Sequence, residues 1–343
     1  MTRPLVDLVS DTATRPTPAM RRAIATAEVG DDQKGEDPTV NALQDRVAEL
    51  LGTEAALFLV SGTMCNNVAV ACWTAQGDAV IVERRSHLLR SEAGGAAVGS
   101  SVVLDQLLCD RCHFTADQLA RAINPGSLHE PPTRLVCLEQ THNFAGGTVW
   151  PLEPYCEVCR VASDAEVPVH VDGARLLNAV VATGVPAATW AAPVDSLWID
   201  FTKGLGAPIG AVVAGSADFV ARARRYKHVF GAAMRQAGIA AAGCLHALDH
   251  HVERLAEDHE HARTLAEGRT DAGCAVDPVE TNIVFFDPPS GLSTPAFLAG
   301  LAGHGVRMGS VAGRVRAVTH LDVDRAGIGV ALAAARDVGA ASA

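Results

Sequence analysis

VPVHVDGARLLNAVVATGVPAATWAAPVDSLWIDFTKGLGAPIGAVVA, residues 167–214, holds three short runs rich in Val, Ile and Leu: 167–171, 196–199 and 209–214. The first two end in polar residues, HVDGAR and DFTKGLGAP. Apolar runs of this length, alternating with helical stretches, predict buried strands of a mostly parallel sheet wrapped by helices. The same alternation extends back to residue 38, with strands expected at 55–60, 79–82, 101–104 and 134–138 and helices at 39–51 and 154–163. Seven strands result. From Gly231 the pattern changes to one long helix through Glu267, with His, Glu and Asp on its outer face. Beyond it a strand (282–286), a helix (294–301), strands at 306–308 and 315–318 and a last helix from Asp324 describe a small α/β domain. Its Ala-rich tail is read as a fraying helix end. The expected layout is an arm over 1–18, a large domain over 19–235, and a linking helix with the small domain over 236–343.

Composition narrows the function. The 343 residues carry a net charge of -11, and no basic cluster resembles a phosphate-backbone footprint, so nucleic acid is not an expected partner. No apolar run reaches the roughly 18 residues that span a bilayer, and the first residues lack the apolar core of a secretory signal, which predicts a cytoplasmic protein with no membrane partner. Nine scattered cysteines read as reduced core thiols. Two CxxC pairs, Cys109–Cys112 and Cys156–Cys159, admit a zinc-binding module as a rival. Their separation and the helical look of the second pair weigh against it, and no metal is expected. Only three lysines occur, Lys34, Lys203 and Lys227.

Ligands of open α/β sheets bind beyond the carboxyl ends of the strands. There the polar residues accumulate. Ser61-Gly62-Thr63 opens a helix whose free N–H groups suit a phosphate, though a plain Ser cap reads the same way. His87 follows the next strand and offers a flat ring, or is simply a solvated loop residue. Glu139 to Asn143 follow another. Asp172 must be paired where it is buried, with a protonated pyridine nitrogen, a helix-terminal amide or Arg175. Thr202 and Lys203 end an apolar strand among glycines. A desolvated lysine amine is a nucleophile for an aldehyde, and a cofactor attached there accounts for all five loops together.

These residues resemble the low-specificity L-threonine aldolases, of the aspartate-aminotransferase-like (fold type I) superfamily of pyridoxal-phosphate enzymes. The resemblance rests on DLVSDTATRP, GDD, GEDPTVNALQ, SGTMCNN, SHLLRSEAGGAAVGS, LEQTHNFAGGTV, HVDGARLLNA, TKGLGAPIG, MRQAGIAAAG and VRAVTHLDV, in that order from residue 6 to 323. It implies pyridoxal 5'-phosphate carried on Lys203, Asp172 on the pyridine nitrogen and His87 stacked on the ring. It places Ser61, Gly62, Thr63, Thr202 and Arg235 near the phosphate, with Arg235 able to reach it across a subunit boundary. Arg175, Ser10 and Arg316 would hold the substrate carboxylate and cofactor O3'. His142, with His87 or a water, would take the β-hydroxyl proton. The implied reaction is retro-aldol cleavage of L-threonine, L-allo-threonine and related β-hydroxy-α-amino acids to glycine and an aldehyde, in a homodimer or homotetramer with shared active sites. Lys34 stands where the family generally has tyrosine, and Phe201-Thr202 and Phe230–Arg235 also depart from its pattern. These positions keep open a bulkier β-aryl substrate, beside a β-eliminating lyase or an aminotransferase on the same scaffold.

Overall fold

The computed structural model describes residues 6–340. Seven strands form the larger sheet: β2 (Ala55–Leu59), β3 (Ala79–Glu83), β4 (Val103–Leu107), β5 (Thr133–Glu139), β6 (Val169–Asp172), β7 (Ser196–Asp200) and β8 (Ala211–Gly215). Their order is β2-β8-β7-β6-β5-β3-β4, with β8 antiparallel to both neighbours and every other pairing parallel. β3, β6 and β7 are buried along their whole length, as strands covered by helices on both faces must be. The sheet reverses its direction of growth between β3 and β5. Loops at such a point open a crevice at the carboxyl edge.

A second sheet orders β1 (Val6–Leu8), β10 (Val306–Val311), β11 (Arg314–Val318) and β9 (Ile283–Phe286) as β1-β10-β11-β9. The N-terminal stretch expected as an arm therefore supplies a strand: Val6 and Leu8 lie opposite Val306 and Met308. It then runs between the two sheets, where the Thr14 hydroxyl donates to the Lys203 carbonyl at 2.8 Å. The tail residues 341–343 lie outside the described chain.

Local chemistry explains the helix between Pro38 and Leu51. Asp37 caps it through Thr39 and Val40, proline starts it, and Gly52 ends it at φ 65°. Val40, Leu43, Val47 and Leu51 form its buried stripe. The long helix expected from Gly231 to Glu267 is instead two, Gly238–His250 and Leu255–Thr270. The chain breaks between them because the His251 ring bonds the Leu205 carbonyl at 2.7 Å and Leu255 packs into the core beside Gly204. The outer face is also corrected: Asp258 and His259 are buried, the one paired with Arg254, the other bonded to Asn178.

Candidate active site

The ends of β3, β5, β6 and β7 bring the chemical residues together. Lys203 lies three residues past Asp200, the last of β7, and its amine sits 2.9 Å from that carboxylate. The amine also lies 5.6 Å above the Trp198 ring centroid. Asp172 ends β6. Its carboxylate accepts from the Ala174 N–H at 3.1 Å and from the Asn66 amide at 2.8 Å. Asn66, fully buried on the helix Gly62–Trp73, spends its whole capacity here. Its amide nitrogen also donates to Glu92 at 2.6 Å, while its oxygen accepts from the Trp198 indole at 2.7 Å and faces His170 at 3.2 Å.

His87 begins the turn after β3. Its backbone N–H donates to Glu139 at 2.7 Å and its Nδ1 lies 2.9 Å from Glu92. Burial alone would lower its pKa, but the Glu92 hydrogen bond and the charges of Asp172, Glu139 and Glu92 outweigh it and hold the ring above its ordinary value. Glu92 is also raised, by burial first and then by the Asp172 charge. The pair therefore keeps a proton readily.

Two arginines meet at Asn143, whose amide oxygen accepts from Arg175 at 3.3 Å and Arg316 at 2.7 Å. Arg175 is committed: its guanidinium grips Asp11 through two 2.7 Å bonds, and Asn282 adds a third contact to that carboxylate. Burial and, beyond it, this guanidinium act oppositely on Asp11, and the net is a carboxyl well below its usual range. Arg316 has no carboxylate within ion-pair distance among the described residues, and its Nε is buried without a hydrogen bond. Burial, then the neighbouring Arg175, bring its pKa down to about 10. It is a cation placed to receive an anion.

The other expected residues are placed as follows. Ser61 caps the helix Gly62–Trp73 through the Met64 N–H, with Thr63 half-buried in the first turn. Gly62 is required by packing: a Cβ there would lie 2.1 Å from the Trp198 ring. Thr202 donates to Asp200, and Ser10 caps a short turn through Thr12. Arg235 and Lys34 are exposed, Arg235 bridging to Asp31 at 3.0 Å. His142 is 1 % exposed and turns toward Glu83, at 3.2 Å, and Glu139, at 3.8 Å. The two CxxC pairs do not converge: among the described residues the close groups of metal-ligating side chains are Glu83–Cys112–His142 and His87–Glu92–Asp172.

Sequence reasoning assigned no role to Asp11, Asn66, Glu92, Asn143 or Asp200. Asp200 had a signal, standing three residues before Lys203. Asp11, Asn66 and Asn143 act through long-range contacts, while Glu92 stands five residues from its partner His87.

This donor set fits pyridoxal 5'-phosphate. Lys203 offers the amine, Asp172 a carboxylate anchored on its far side, His87 a partly open ring, and the first turn of the helix Gly62–Trp73 its N–H groups. With this sheet order, they define an α/β protein of the aspartate-aminotransferase-like class, fold type I. A threonine aldolase of Leishmania major shares the fold, with a TM-score of 0.84, 21% identity and coverage of 97% of this chain and 99% of that one. So does a structure of SPT with its PLP internal aldimine, at TM-score 0.73 and 18% identity, covering 97% and 88%. Residues 7–289 match the beta-eliminating lyase family. The low specificity L-threonine aldolase of Escherichia coli K12 is 41% identical over 322 residues, 94% of this chain and 95% of that protein. The chain belongs to the low-specificity L-threonine aldolase family.

Proposed function

We propose that the protein cleaves L-threonine, L-allo-threonine and related β-hydroxy-α-amino acids to glycine and an aldehyde, with pyridoxal 5'-phosphate linked to Lys203. The observation that carries this reading is Arg316, a half-buried guanidinium with no carboxylate partner among the described residues, held by Asn143 beside the arginine that Asp11 already occupies. The bound cofactor supplies an electron sink for the Cα–Cβ bonding pair. Arg316, with Ser10, would hold the substrate carboxylate and so orient the Cα–Cβ bond for cleavage. Asp172 would hold a proton on the pyridine nitrogen. With Nδ1 on Glu92, His87 has Nε2 left to take the β-hydroxyl proton, directly or through a water. His142, facing Glu83, stands behind it. Asp200 holds the Lys203 ammonium whenever the amine is free.

Two measurements test the reading. A panel of β-hydroxy amino acids, both diastereomers of each, is scored for glycine; serine turned into pyruvate and ammonia with no glycine, or a requirement for a keto acid, would make the protein a β-eliminating lyase or an aminotransferase. Borohydride reduction of the loaded protein should leave the cofactor on the Lys203 peptide, and Lys203→Ala should lose that adduct and turnover together.

A bulkier β-aryl substrate is the second reading. It rests on a cavity of about 630 Å³ lined by Phe144, Phe285, Arg85 and Arg90 among others, next to Asn143. Exposed Arg235 suits a phosphate contact across a subunit boundary, in a homodimer or homotetramer. No helix among the described residues is long and apolar enough to cross a membrane, and the nine cysteines are free, which supports a reducing, cytoplasmic location.

A further inference from the structure

We propose that Glu83, Cys112 and His142 form a metal site of the zinc class at the carboxyl edge of the large sheet. The three come from the ends of adjacent strands: Glu83 closes β3, Cys112 ends the turn after β4, and His142 lies past β5. Their oxygen, sulfur and nitrogen donors lie within 4.8 Å of one another, and all three residues are buried. His142 Nε2 stands 3.2 Å from Glu83 Oε2. Two ligands of one tetrahedral ion with bonds of about 2.0 Å lie about 3.3 Å apart.

That approach lacks hydrogen-bond geometry, and the neighbouring cation, Arg85, reaches Glu83 Oε1 only at 3.7 Å. Both His142 ring nitrogens and Glu83 Oε1 are buried without a hydrogen-bond partner. Such groups cost free energy unless something satisfies them, and a cation would satisfy the carboxylate and one ring nitrogen at once. A thiolate, an imidazole and a carboxylate together favour zinc over the harder magnesium and calcium. On binding, the Cys112 thiol gives its proton to solvent as the metal–sulfur bond forms, with no change of oxidation state. The site takes up only Cys112 of the two CxxC pairs and departs from the expectation of no metal. Arg111 and Cys112 take φ 51° and 62°, a tight left-handed turn that re-aims the chain at the thiol.

The site would position the catalytic turn. His142 Nε2 is 3.8 Å from Glu139 Oε2, and that oxygen receives the His87 N–H. A metal here braces the loop that carries the ring and touches no reacting atom.

The test is elemental analysis and zinc-edge X-ray absorption on the full-length holoenzyme, purified without chelator, loaded with zinc and dialysed. About one zinc per chain with sulfur, nitrogen and oxygen neighbours is expected. Cys112→Ser and Glu83→Gln should each lower zinc affinity by roughly tenfold or more, whereas Cys156→Ser should not. A protein that retains no zinc overturns the proposal. So does a shell without sulfur, as the surface imidazoles His246 and His250 would give, or a zinc content indifferent to Cys112→Ser. If a variant fails to fold, the shell of the unsubstituted protein decides.

Discussion

Arg175 and Arg316 donate to the same Asn143 oxygen yet answer to different demands. Replacing Arg175 with leucine leaves Asp11, fully buried, without an ion-pair partner in contact, with the Asn282 amide and a long Ser10 hydroxyl contact beside it. Breaking such a pair costs about 3–5 kcal/mol, so Arg175→Leu should unfold at markedly lower urea. Arg316→Leu removes no ion pair; its fold should persist while KM for threonine rises roughly tenfold or more. An unchanged KM would remove Arg316 from the carboxylate site. His87 gives a second test. As the proton acceptor it must be neutral, and its pKa is raised, so activity should fall as pH drops through a value above 6.5. Glu92→Gln takes away the charge that holds the proton and leaves a weaker, neutral acceptor, so the acid limb of kcat/KM should move to lower pH. A limb that stays in place or moves up would show that another group takes the proton.

Among elements, the helix Gly62–Trp73 joins the parts of the site. Its glycine admits the Trp198 ring, that indole fixes Asn66, and Asn66 holds Asp172 and Glu92. Gly62→Ala puts a methyl into the indole, backed by β7, so the ring must move and Asn66 loses an anchor. Weaker pyridoxal-phosphate binding, by about tenfold in equilibrium titration, is the expected result; binding at full strength would show that Trp198 does not hold Asn66 in place. The elements themselves were largely legible, because buried parallel strands announce themselves as short apolar runs. All seven expected strands of the large sheet occur. The edges were less so: β4 begins at Val103 rather than 101, after Ser101 turns to φ 55°. The helix break at residues 251–254 was hidden because its cause, the Leu205 carbonyl, lies 46 residues away in sequence.

At the scale of the whole molecule, legibility follows sequence distance. Lys203, Asp172 and His87 were readable because each sits just beyond an apolar strand. The Arg175–Asp11 pair spans 164 residues and the Asn66–Trp198 bond 132, so neither had a local signature. The same long-range network sets a dependence on acid. His170 is fully buried in the sheet, between Ser196 at 2.9 Å and Asn66 at 3.2 Å. Trp73 donates to the Ser196 oxygen, so that hydroxyl is free to donate to His170 Nδ1, and Nε2–H goes to the Asn66 oxygen. The neutral ring satisfies both. Burial accordingly brings its pKa down to about 3 from 6.5. Below pH 6.5 the unfolded chain protonates this residue and the folded chain does not, so stability is lost as pH falls from 6.5 toward 3. The loss approaches about 1.4 kcal/mol per pH unit from this residue alone. Glu92 and Asp258, with raised pKa values, act in the opposite sense, so the contribution is read as a difference between proteins. His170→Gln keeps a donor and an acceptor but cannot titrate. Urea unfolding between pH 6 and 4 should show a slope shallower by about that amount, whatever the variant's stability at pH 7. Parallel slopes would mean that His170 opens to water before the fold gives way.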